Sequence, residues 1–113
     1  MPKFVTIGYG DREGYGRTKP SLREAAHAHD ALLRSRGAVM GVAGSPVQVR
    51  NHNAAHLQTT DGAYMVSPLP VAGFAIIEAA NMTEAVKLMS QAPCAVAHGV
   101  VEVWPLEEAP QAK

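Results

Sequence analysis

Imidazole is the side chain in this sequence best suited to chemistry near neutral pH, because it can take or give a proton there. The five histidines are His27, His29, His52, His56 and His98. His27 and His29 lie two residues apart in a helical stretch. About 200° separates them around the axis, so they cannot hold one ligand together. His29 falls in the apolar file of that helix and is expected to face the sheet. It reads either as a general base in a cleft or as a core histidine held by one hydrogen bond. His27 is the second general-base candidate. A base of this kind needs a carboxylate beside it; Asp61 is the named candidate, and Asp30 is the other acid the fold could bring close.

The remaining reactive types are weaker signals. His52 and His56 fall on a turn and a strand, where a spacing of four has no helical meaning. With Asp61 they offer nitrogen and oxygen ligands, but no zinc-type spacing is present and no metal is expected. His98, beside Gly99, reads as a turn residue. Cys94 is the one cysteine. It has no close basic neighbour to lower its pKa and reads as a small, inert hydrophobe. Gly8-Tyr9-Gly10 with Gly14 and Gly16 fits neither the dinucleotide fingerprint nor the phosphate-loop pattern. Residues 9–19 therefore read as a flexible loop, and Tyr9, Arg12 and Tyr15 could close it as a lid over a pocket. Tyr64 is a further ligand-contact candidate; like Asp61, it reads equally as a packing or turn residue.

These residues need elements to position them. Lys3–Ile7 alternates as a strand, with Phe4 and Thr6 on one side and Val5 and Ile7 on the other. Ser21-Leu22-Arg23-Glu24 matches a capping box and opens a helix that runs to Arg36, before Gly37. Leu22, Ala25, Ala26, His29, Leu32 and Leu33 make its apolar stripe. Residues 38–42 form the next strand. The second half repeats the order. Gly73–Ala79 is a strand, Asn81 with Glu84 caps a helix, Pro93 follows that helix, and Val100–Trp104 is a strand that Pro105 stops. Between the halves, residues 45–72 are too long for a plain connection. Val47–Arg50, a turn at Asn51-His52-Asn53, and His56–Thr60 read as a hairpin.

Two strand–helix–strand halves predict an α+β fold: a ferredoxin-like βαββαβ unit with an antiparallel sheet, both helices on one face, and the extra hairpin. The domain spans residues 1–106, and 107–113 read as a frayed tail. The strands are apolar on both sides. Phe74 and Ile76 oppose Ala75 and Ile77, and Val100 and Trp104 oppose Val101 and Val103. Two helices cover one face only, and a large bare apolar patch is rare on a monomer. The expected partner is a second copy, sheet against sheet in a homodimer.

Composition narrows the classes further. The chain has 113 residues, 47% hydrophobic and 18% charged, and ten basic side chains balance ten acidic ones. A net charge of zero argues against nucleic acid or a polybasic membrane anchor as partner. No apolar run approaches a membrane span, and one cysteine suits a reducing compartment, so a cytoplasmic location is expected.

Thr60-Asp61-Gly62-Ala63-Tyr64, followed by Gly73-Phe74-Ala75-Ile76-Ile77-Glu78-Ala79, resembles the YCII-related superfamily and, within it, the DGPF-type proteins. So does the ending: Met82–Val86, Pro93, and His98-Gly99-Val100-Val101-Glu102-Val103-Trp104-Pro105-Leu106. The resemblance covers nearly the whole chain and is closest over 58–106. Ala63 and Tyr64 stand where the family usually has Pro-Phe. The resemblance implies a dimeric α+β barrel and, for most members, no assigned reaction. Some relatives are lyases or dehydrochlorinases that use a histidine of the first helix and an aspartate near the end of the second. Here Gln91-Ala92-Pro93 occupies the place of that aspartate. Two functions follow: a small-molecule binding protein with its ligand between the first helix and the sheet, or a cofactor-free lyase or isomerase using a helix histidine as base.

Overall fold

The computed structural model describes residues 1–108. The order of elements is β1 (Lys3–Tyr9), α1 (Arg12–Arg17), α2 (Pro20–Ser35), β2 (Val39–Val42), β3 (Val47–Arg50), β4 (Gln58–Asp61), β5 (Val71–Glu78), α3 (Met82–Met89), α4 (Pro93–Val96) and β6 (Val100–Leu106). Four strands form one antiparallel sheet in the order β2-β5-β1-β6, while β3 and β4 pair only with each other. The architecture is α+β. The sheet stays open, and no barrel closes among the described residues.

Register sorts the strand residues onto two faces. Phe4, Thr6 and Gly8 of β1 stand beside Ile77, Ala75 and Gly73 of β5 and beside Pro105, Val103 and Val101 of β6. This is the face under the helices. Phe4, Ala75 and Ile77 are buried there with Leu33 of α2 and with Ala85 and Met89 of α3. The opposite face presents Val39, Phe74, Ile76, Val5, Ile7 and Trp104. Nothing in the described chain covers it: Phe74 is 50% exposed and Trp104 55%. The β3–β4 hairpin does not fold back over it, and residues 51–68 are all exposed.

Local chemistry sets the helix ends. Asn81 accepts a hydrogen bond from the Glu84 backbone N–H at 2.9 Å, as its cap position predicts. At the end of α2, Gly37 takes φ +99°. The Gly37 N–H bonds to the Arg34 carbonyl and the Ala38 N–H to the Leu33 carbonyl, which terminates the helix.

Four expectations fail in instructive ways. The expected loop at 9–19 contains helix α1, because Asp11 accepts from the Gly14 N–H at 2.8 Å and caps it. Gly14 is buried where a side chain would run into the Ala97 carbonyl and His98, so this glycine serves packing and not flexibility. The Ser21 capping box does not form, because Pro20 starts the helix one residue earlier and Lys19 caps without its side chain. The buried face of α2 centres on Ala26 and Leu33, while Leu22, Ala25 and Leu32 are exposed. The helix is thus rolled by roughly 50° from its apolar stripe. Strand β6 continues through Pro105 to Leu106, which is tolerated because β6 is an edge strand with one unpaired side. Part of the expected frayed tail, 109–113, lies outside the described residues.

Candidate functional site

The roll of α2 brings a different set of side chains over the sheet. His27, Asp30 and Arg34 follow i, i+3, i+7 spacing and therefore share one side of the helix. They roof a cleft of about 390 Å³. Its floor is the helix-covered face of the sheet: Thr6 and Gly8 of β1, Gly73 and Ala75 of β5, Met40 of β2. Gly8 and Gly73 are cross-strand partners, so the floor has no side chain at its centre. The glycines admit close neighbours: Cys94 packs over Gly8, and the Gly41 carbonyl lies against Gly73. Pro93 and Cys94 of α4 form the far wall, and Tyr15 of α1 stands at the mouth. A second hollow of the same volume continues outward past Tyr15, Val42 and Cys94 to Gly10, Asp11 and Arg12.

The polar groups converge on one end of the cleft. The Tyr15 hydroxyl lies 2.9 Å from His27 Nε2. The Arg23 guanidinium sits 4.8 Å from the centroid of the Tyr15 ring and holds it from the other side. Burial pushes the Asp30 carboxyl above its ordinary range; the positive charges of Arg34, His27 and His29 oppose that shift without cancelling it. Arg34 has no carboxylate within 4.0 Å, the one ion pair among the described residues being Arg17–Glu13. An unpaired guanidinium on a cleft lip is a ready partner for a carboxylate or oxyanion. Burial, and secondarily the Asp30 charge, push the Cys94 thiol up, so it stays protonated and non-nucleophilic.

His29 has a different task. Its Nε2 lies 2.7 Å from the Leu88 carbonyl. A carbonyl only accepts, so Nε2 carries the proton and donates it. Leu88 is in the last turn of α3, where carbonyls lack helical partners. His29 therefore ties α2 to the end of α3 and stands outside the cleft lining. The helix roll that moved His27 in turned His29 away.

The other expected site residues are scattered. Tyr9 is the last residue of β1 and points to the open sheet face, where its hydroxyl donates to Glu102 Oε1 at 2.6 Å. That hydrogen bond, with some burial and the Glu102 charge, raises the Tyr9 pKa above its ordinary value. Arg12 opens α1 and lines the outer hollow. Asp61 ends β4 opposite Val47, and Tyr64 lies beneath the Arg50 guanidinium at 5.6 Å; both belong to the projecting hairpin region and neither reaches a helix histidine. Among the described residues no three His, Cys, Asp or Glu side chains cluster as a metal site. From sequence, Asp30 is only an acid that the fold could bring to a helix histidine, and Arg34 and the side of α2 that the two share with His27 are missed. Their i, i+3, i+7 spacing was the available signal.

No protein-family model matches the chain, and no curated protein is significantly similar to it. No helix among the described residues is long and apolar enough to cross a membrane.

Proposed function

We propose that this chain is a YCII-like, ferredoxin-like domain that binds a small molecule in the cleft between α2 and the sheet. The observation that carries the reading is the cleft itself. A floor of Gly8, Gly73 and Ala75 leaves about 390 Å³ under a helix that aims His27, Asp30 and Arg34 at the same space. Small-molecule sites have this form, a mostly apolar hollow with a few convergent polar groups. The strand order β2-β5-β1-β6 supports the ferredoxin-like assignment, and the bare apolar sheet face supports a homodimer that packs sheet to sheet into a barrel.

The test is a small-molecule screen by thermal shift, with organic acids and phenols included because Arg34 and His27 suit an anionic or hydroxylated group. A ligand at a hundred times its Kd raises stability by about 2.7 kcal/mol. The binder must lose affinity in His27→Ala and Arg34→Ala, two substitutions on exposed positions of α2. Hits that bind both variants undiminished place the ligand elsewhere and end the reading.

A second reading has its own observation. His27 is held by Tyr15 beside a carboxylate whose pKa is raised, which is the setting of a general base in a lyase or isomerase. Turnover of a bound ligand that falls about 100-fold or more in His27→Ala separates catalysis from simple binding.

A further inference from the structure

The β3–β4 hairpin is a structural anomaly. Its two strands pair with each other and with nothing else, and every residue from 51 to 68 is exposed. An isolated two-stranded hairpin is marginal in water and needs a surface to pack on. The arm also lengthens the molecule. The radius of gyration is 16.4 Å and the long axis 53 Å, whereas a compact chain of this length has a radius of about 13 Å.

The arm is not built for solvent. Val47 and Val49 alternate onto one side of β3 and are 55% and 68% exposed, and Leu57 at the far end is 61% exposed. The return segment carries Tyr64, Met65 and Val66, the last of them 93% exposed. The arm leaves the sheet from β2 and returns into β5. These are the strands that present Val39, Phe74 and Ile76 on the open face, so the arm springs from the β2 side of that face.

We propose that the arm clasps a second copy of this chain, each copy's hairpin lying along its partner and enlarging the sheet-to-sheet contact. The proposal rests on the homodimer reading above. Area favours it. Together with those of the arm, the exposed apolar side chains of the open face amount to roughly 1,200 Å² per copy, the size class of an obligate homodimer. Charge also selects the occupant. The strands and turn of the arm carry Arg50 and Asp61, and the open face carries Lys3, Glu78 and Glu102. Neither surface has the positive excess that nucleic acid or an anionic membrane requires. A two-fold pair satisfies both arms and both faces at once, with no open end.

The experiment compares the full chain with two variants: Val47→Asp together with Val49→Asp, and a chain in which residues 47–61 are replaced by a short Gly-Ser loop. Sedimentation over a dilution series gives the dimer Kd. The expected result is a weakening of at least tenfold in both, with unchanged far-ultraviolet circular dichroism in the Val47→Asp, Val49→Asp chain. Hydrogen exchange on the unaltered protein, diluted and concentrated, guards against a misfolded variant. Backbone amides of 47–61 must gain protection on dimerisation. A dimer whose Kd is indifferent to both changes, or whose arm amides gain no protection, overturns the clasp and leaves the sheet contact standing. An unaltered chain that stays monomeric at every concentration overturns both.

Discussion

His27 and His29 are two residues apart and do unrelated work. His29 donates to the Leu88 carbonyl at the end of α3; removing it leaves a half-buried acceptor without its partner. His29→Ala should cost about 1–2 kcal/mol in denaturant unfolding and leave ligand affinity unchanged. His27, with an exposed position and only Tyr15 as partner, should show the reverse: stability within about 0.5 kcal/mol of wild type, and affinity lost. Asp30 makes a pH prediction. Burial raises its folded-state pKa above the unfolded value. The folded state thus binds the proton more tightly, and stability is fullest below the unfolded pKa near 3.8. It declines as pH rises through the folded value. Asp30→Asn should therefore match wild type in Tm at strongly acid pH and exceed it at neutral pH. Equal Tm values at both ends would show that solvent already screens the carboxylate.

At the scale of elements, the Asn81 cap of α3 and the Gly37 end of α2 were legible, while the start of α2 and its rotation were not. Asn81 caps α3 as its type and position imply, and Asn81→Ala should destabilise the chain by about 1 kcal/mol. The α1 region misled because Gly14 and Gly16 are poor helix formers. The helix exists because Asp11 caps it and because α4 leaves space for hydrogen, not methyl, at Gly14. Gly99 is stricter still. A Cβ there would meet the backbone carbonyls of Tyr9 and Cys94, neither of which can swing aside. Gly99→Ala should cost at least about 2 kcal/mol by thermal or denaturant unfolding and loosen the α4 wall of the cleft. The roll of α2 could not be read from its apolar stripe alone. Leu22 and Leu32 belong to that stripe yet remain exposed, because Leu33 packs into the core with Phe4, Ala75 and Ile77 and His29 anchors the other flank to α3.

For the whole molecule, the governing feature is a sheet clad on one side. Val39, Phe74, Ile76 and Trp104 stand in solvent on the other. Trp104→Glu puts a carboxylate opposite Val5 on that face. On the proposed pairing it should weaken the dimer by about 100-fold or more, through an unpaired buried charge, and leave the monomer fold intact. A Trp104→Glu protein that still sediments as a dimer would place the contact elsewhere. The same surface explains why the arm could be recognised as a hairpin and not as a separate unit. Alternation along Val47–Arg50 announces a strand, but nothing in that pattern states what the strand packs on.

Periodicity and capping chemistry in the sequence were enough to locate both strand–helix–strand halves, the hairpin and the two-sided apolar strands, because these depend on neighbours within a few positions. The site was not determined that way. Which side of α2 faces the sheet depends on the packing of Leu33 against Phe4, Ala75 and Ile77, distant in sequence, and on one hydrogen bond to α3. Only tertiary packing could therefore bring His27, Asp30 and Arg34 over the cleft and turn His29 out of it.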